Sequence, residues 1–113
     1  MLYYVPTRVV NQFRSVRHKF NTMTIPIVKR KLTAMIWATD WKKELINEKG
    51  NVYKHDFNGI IIIVEENNKC VQKVYTNPLS DKDDTRSAKY YRRICKSMGL
   101  NSSNSDFKKV LVN

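Results

Sequence analysis

Glycine is scarce: Gly50, Gly59 and Gly99 are the three in 113 residues, and each reads as a turn or a helix stop. No segment can form the glycine-rich cradle of a P-loop or a dinucleotide fingerprint, and no nucleophile elbow is present. Cofactor-dependent chemistry is therefore not expected. Cysteine and histidine are as sparse, with two of each. Cys70 and Cys95 show no CxxC spacing, and His18 and His55 do not complete a ligand set. No zinc or other metal site is expected, and the thiols read as small core residues. No apolar run approaches the roughly 20 residues needed to cross a bilayer, so no membrane partner is expected. Residues 1–5 are too short for the apolar core of a secretory signal and no small-residue cleavage site follows, which points to a reducing, cytoplasmic setting.

Acid is missing where base is plentiful. Residues 1–39 carry seven Lys/Arg and no Asp/Glu, residues 40–84 seven against nine, and residues 85–113 seven against one, so the formal charge of +11 sits on the two flanks. Basic flanks around a near-neutral middle suggest a polyanionic partner. The length suits one domain over residues 1–113 with a single core.

Residues 51–76 (NVYKHDFNGIIIIVEENNKCVQKVYT) are the organising stretch and read as a three-stranded antiparallel meander. Asn58-Gly59 is a strong type I′ hairpin signal, because both central positions need positive φ; Asn67-Asn68 is a weaker second turn. The run Ile60-Ile61-Ile62-Ile63-Val64 is apolar on both faces, so it is expected to be the central strand, with cover on each side. With two-residue turns, Tyr53, His55, Phe57, Ile60, Ile62, Val64, Val71, Lys73 and Tyr75 share one face.

Residues 1–50 are expected to be mainly helical. Residues 1–5 suit a short edge strand stopped by Pro6. Thr7 suits an N-cap, and Val9, Phe13, Val16 and Phe20 mark the buried face of a first helix, with Asn11, Arg14 and His18 opposite and Arg8, Arg17 and Lys19 at the margins. Thr24 caps a second helix with Pro26 in its first turn and Val28, Leu32, Met35 and Ile36 as its core stripe. Residues 40–49 are expected to continue or restart that helix until Gly50 stops it. Trp37 and Trp41 lie away from its main stripe, a position that asks for cover by residues 107–112 or a second subunit, or for use as a platform on which bases stack; cover is the preferred reading.

After a loop at residues 77–85, a basic helix is expected over residues 84–99, with Ala88, Tyr91, Cys95 and Met98 buried and a glycine stop at Gly99. Lys89, Arg92, Arg93 and Lys96 recur at i, i+3, i+4 and i+7, a basic stripe on one face. Residues 100–113 read as linker and tail. Metal-free acid–base chemistry needs only a base, an acid and a cation to drive attack by a ribose 2′-hydroxyl, and His18, His55 and the arginines are the groups available.

The motifs TRVVNQFR, TIPIVKRKL and GNVYKHDFNGIIIIVEENNKCVQKVYTNP, in this order over about residues 7–78, resemble the small α+β domains related to RelE-like and barnase-like ribonuclease toxins. The nearest likeness is to the uncharacterised branch whose first helix has the form S-x-H-A-x-x-R-F. That resemblance implies RNA cleavage by residues of the first helix and the last strand: Arg14 matches the helix arginine, and Tyr75 or Thr76 the last-strand polar position. Arg8 stands where the pattern has its leading histidine, and His18 lies about three turns later.

The expectation is an α+β protein, two N-terminal helices on a three-stranded meander followed by a basic helix, that binds nucleic acid, RNA in preference to DNA. Arg8, Arg14, Arg17, Lys89, Arg92, Arg93 and Lys96 would carry binding. Ribonuclease action through His18, His55, Arg14 and Tyr75 is its sharper form. The rival is a non-catalytic protein of a virus or mobile element that binds a protein partner, or pairs as a homodimer, through Trp37 and Trp41. A membrane-surface role for the last helix ranks behind both.

Overall fold

The computed structural model describes residues 2–80, 84–102 and 106. It is an α+β fold with α1 (Thr7–Val16) and α2 (Ile25–Ala38), then strands β1 (Glu44–Asn47), β2 (Val52–Phe57), β3 (Ile60–Glu65) and β4 (Cys70–Thr76), then α3 (Thr85–Ser97). The sheet is antiparallel throughout, in the order β1-β2-β3-β4. The helices form a layer on one face, with α1 over β4, α2 over β2, and α3 packed alongside α2.

The central hairpin forms for the reason its sequence suggests. Asn58 and Gly59 have φ of +49° and +90°, and the turn pairs Phe57 with Ile60 and His55 with Ile62. Ile60, Ile62 and Val64 face the helices and are fully buried, and Ile61 on the other face is fully buried as well. Each such side chain contributes roughly 1.5–3 kcal/mol on burial. The residues between β3 and β4 are Glu66–Lys69, and the positive φ falls on Lys69 rather than on an asparagine.

Beyond Val64↔Val71 the β3–β4 register slips by one, so that Ile63 pairs with Lys73 and Ile62 with Val74. A bulge at Gln72 absorbs the extra residue and turns the rest of β4 over. Val74 therefore enters the core, while Lys73 and Tyr75, expected to share the face of Ile60 and Ile62, lie on the opposite one.

A fourth strand replaces the expected helix over residues 40–49. The Thr39 hydroxyl donates back to the Met35 carbonyl at 2.8 Å, and the backbone leaves helical geometry there (φ −109°, ψ 9°). Such back-bonding competes with the helical ladder and favours an ending. One 3₁₀ turn, Asp40–Lys42, follows, and β1 then pairs Leu45 with Tyr53. Gly50 (φ +80°) and Asn51 (φ +51°) belong to the β1–β2 turn, so Gly50 is a hairpin residue and not a helix stop.

The first helix is likewise shorter than its apolar spacing implies. Pro6, not Thr7, occupies its N-cap position, and α1 ends at Val16 because Arg17 is extended (φ −139°, ψ 145°). Phe20 returns through a 3₁₀ turn (His18–Phe20) and stacks on Phe13, with ring centroids 4.5 Å apart. The segment before it seals the outer edge of β4. Tyr4 bonds Lys69 O and Val71 N through its backbone, the Arg8 guanidinium donates to Gln72 O at 3.2 Å, and Val74 N donates to the Gln12 side chain at 2.9 Å. An edge whose polar groups are so occupied cannot accept another strand.

Both ends of α3 match their sequence signals. The Asp84 carboxylate accepts from Ser87 N at 2.9 Å, and after Gly99 (φ +70°) Leu100 N donates back to Cys95 O at 2.8 Å in a Schellman-type stop. Tyr91 is fully buried and meets the Phe57 ring at 4.8 Å, which ties α3 to the end of β2.

Candidate nucleic-acid interface

Thirteen residues of α3 include Arg86, Lys89, Arg92, Arg93 and Lys96 and no acid. At 100° per residue, Ser87, Ala88, Tyr91 and Cys95 cluster on one side and are buried. Arg86, Lys89, Arg93 and Lys96 lie on the opposite side, Arg92 lies at its margin, and all five are exposed. The predicted stripe is thus in place, and Arg86, at i−3 from Lys89, extends it by a turn.

At its N-terminal end the stripe meets aromatic surface. The Arg86 guanidinium sits 4.3 Å from the Trp41 ring centroid and 5.6 Å from that of Tyr90, and its Nε donates to the Tyr90 hydroxyl at 3.2 Å. Trp41 Nε1 donates to Ser87 Oγ at 3.1 Å, which fixes the indole against the first turn of α3. Trp41 and Trp37 remain 45 % and 40 % exposed. Trp41 leans on the start of α3; residues 107–112, expected as its cover, lie outside the described residues. Lys42 bridges to Asp84 from the same corner, and although burial pushes the Asp84 carboxyl up, Lys42 and Ser87 hold it below the usual carboxylate range.

The basic residues of the N-terminal region are dispersed. Arg8 is turned to the edge of β4, as described above. Arg14 donates through Nε and Nη2 to the Met23 carbonyl, at 2.9 and 2.7 Å, and so braces the loop before α2. Arg17 is half-buried and has its charge opposed by desolvation, which lowers its pKa.

The residues expected to cleave RNA do not converge. His18 is exposed in the 3₁₀ turn after α1, whereas His55 is fully buried on the helix-facing side of β2. Its Nδ1 lies 2.9 Å from Thr39 Oγ1. Because that hydroxyl already donates to Met35 O, Nδ1 carries the proton and donates to it, leaving Nε2 buried without a hydrogen-bond partner. Desolvation lowers the His55 pKa to about 4, with Lys43 adding to the effect and Glu66 and Asp40 opposing it. This is a neutral core histidine without access to a strand of RNA. Tyr75, under the Lys73 ammonium at 5.1 Å, faces the other side of the sheet, and Arg14 is committed to Met23.

One polar cluster carries no sequence motif. Asp106 is fully buried, and its carboxylate meets Lys31 Nζ at 2.7 Å, Lys19 Nζ at 2.6 Å and the Tyr91 hydroxyl at 2.9 Å. Burial works against its charge, but the bonds from Lys19, Lys31 and Tyr91 hold its pKa below the usual carboxylate value. Lys31, 5 % exposed, follows the buried Val28 at i+3, and its only sequence signal was its place beside that stripe.

Among the described residues no three His, Cys, Asp or Glu side chains stand together as a metal site, and no helix is long and apolar enough to cross a membrane. Compared with known proteins, the chain matches no family model, no curated protein and no solved structure.

Proposed function

We propose that this protein binds single-stranded nucleic acid, RNA in preference to DNA, along the outer face of α3, and that it binds without cleaving. The observation that carries the reading is the continuous exposed stripe Arg86–Lys89–Arg93–Lys96, with no acid in the helix and a Trp41–Arg86–Tyr90 stack at one end. Cations spaced along a helix neutralise successive phosphates, and exposed aromatic and guanidinium faces stack on unpaired bases whatever their identity. The preference for RNA rests on the resemblance of the sequence motifs over about residues 7–78 to ribonuclease-toxin domains. Burial of His55 and the commitment of Arg14 to a carbonyl favour binding over cleavage.

The test is the salt dependence of binding to a short single-stranded RNA. Each phosphate contact contributes about −0.7 to the slope of log K against log salt, so Lys89→Gln with Arg93→Gln should make the slope shallower by about 1.4 and weaken all sequences alike. An unchanged slope refutes the interface. Incubation with total RNA, with and without EDTA, should leave the RNA intact; metal-independent cleavage would restore the nuclease reading.

A further inference from the structure

Past the C-terminal end of α3 the surface opens into a pocket of about 440 Å³, a volume in the range of small-molecule sites. Among the described residues its lining includes the cationic Lys19, Arg30 and Lys31 and the apolar Met23, Ile27 and Leu100, and no acid. Lys19 and Lys31 are held by Asp106, the single acid of residues 85–113, while residues 1–39 contain none. Arg17 is near enough for the Asp106 carboxylate to favour its charge, yet its Nε and Nη2 are buried without a hydrogen-bond partner. Lys19, Lys31 and Arg17 therefore face one carboxylate, and Arg30 lines the same pocket as the two lysines. Lys31 is 5 % exposed and Asp106 fully buried, so the arrangement is built into the fold and is not a scatter of surface lysines.

We propose that this pocket binds a phosphate monoester, as carried by a free nucleotide or by the end of a nucleic-acid strand. A monoester brings nearly two negative charges near neutral pH, which answers the excess of cations left after Asp106 is paired. Arg30 is the exposed member able to grip the phosphate oxygens, and Met23, Ile27 and Leu100 offer apolar surface to the attached sugar and base. Gly99 and Leu100, which line the pocket, come just past the Met98 cap of α3, so a strand lying along the stripe would bring its end here. The strand-end form rests on the reading of α3 as a nucleic-acid surface; the free-nucleotide form does not.

The two are separated with the full chain and two sets of probes. Adenosine 5′-monophosphate should raise the melting temperature progressively with the logarithm of its concentration and adenosine should not. RNAs of one sequence ending in a phosphate should bind about tenfold tighter than the same RNA with hydroxyl ends, the size expected for charge-assisted hydrogen bonds. Arg30→Gln should reduce both effects, whereas Lys89→Gln with Arg93→Gln should weaken every RNA equally and leave the end preference. Nucleotide binding without RNA binding upholds the pocket and removes the α3 interface. RNA binding with no end preference and no response to the nucleotide does the reverse and overturns the pocket, as does a nucleotide response that survives in Arg30→Gln.

Discussion

Acidification should destabilise this protein through His55 before its carboxylates are protonated. The folded state holds the imidazole neutral down to about pH 4, with Nε2 facing no acceptor, while in the unfolded chain the same group takes up a proton near its ordinary value of 6.5. Between those limits the unfolded state binds more protons, so stability is fully present above about pH 6.5 and is lost progressively as the pH falls toward 4. A difference of about 2.5 pH units at 1.36 kcal/mol each gives a loss of about 3 kcal/mol, a large share of the roughly 5–15 kcal/mol typical of a small domain. The assay is urea unfolding at several pH values between 7 and 4, comparing the wild type with His55→Asn. The asparagine amide can still donate to Thr39 Oγ1, but it cannot titrate. The variant should be less stable at pH 7 because it leaves a small void, yet lose about 3 kcal/mol less than the wild type on acidification. Parallel losses in the two proteins would refute the buried, neutral imidazole.

Ile62→Asp should abolish cooperative folding, since an unpaired carboxylate at the centre of β3 costs several kcal/mol; a soluble variant with a sharp thermal transition would show that β3 is not central. Asp106→Asn should cost about 3–5 kcal/mol in urea melts, because it leaves the buried Lys31 ammonium without its counter-charge, and a change below about 1 kcal/mol would mean that the cluster is solvated. Iodide should quench the tryptophan fluorescence readily at every protein concentration, given that Trp37 and Trp41 are each more than a third exposed; shielding that deepens with concentration would reveal a second subunit over them.

What could be read from the chain was whatever depends on a few neighbouring residues. The Asn58-Gly59 turn, the Asp84 cap, the Gly99–Leu100 stop and the stripe on α3 are short-range signals, and each stands where its residues place it. The failures involve partners distant in sequence. Residues 44–47 (ELIN) are too few to show a period, and they became a strand because Thr39 ended α2 and β2 offered an edge. The bulge at Gln72 left no trace in VQKVYT, which alternates acceptably in either register, yet it decided that Val74 and not Tyr75 enters the core. His55 stands in the sequence both as a candidate base and as a structural sheet histidine, and only α2 lying over β2 decides for the second; Asp106 reads as a tail residue because its lysine partners lie more than seventy positions upstream.

The sealed edge of β4 also governs when the protein can become itself during synthesis. Arg8 waits for Gln72, 64 residues later, and Lys31 for Asp106, 75 residues later. At about 5–20 residues per second the first of these intervals alone lasts roughly 3–13 s. For that time α1 has no strand to lie on, and the β2–β3 hairpin, once made, carries a bare edge on the side that β4 will occupy. The nascent chain is therefore most exposed to mispairing after Glu65 has emerged and before Thr76 has, and a translational pause in that window would prolong the hazard, whereas one before Val52 would not.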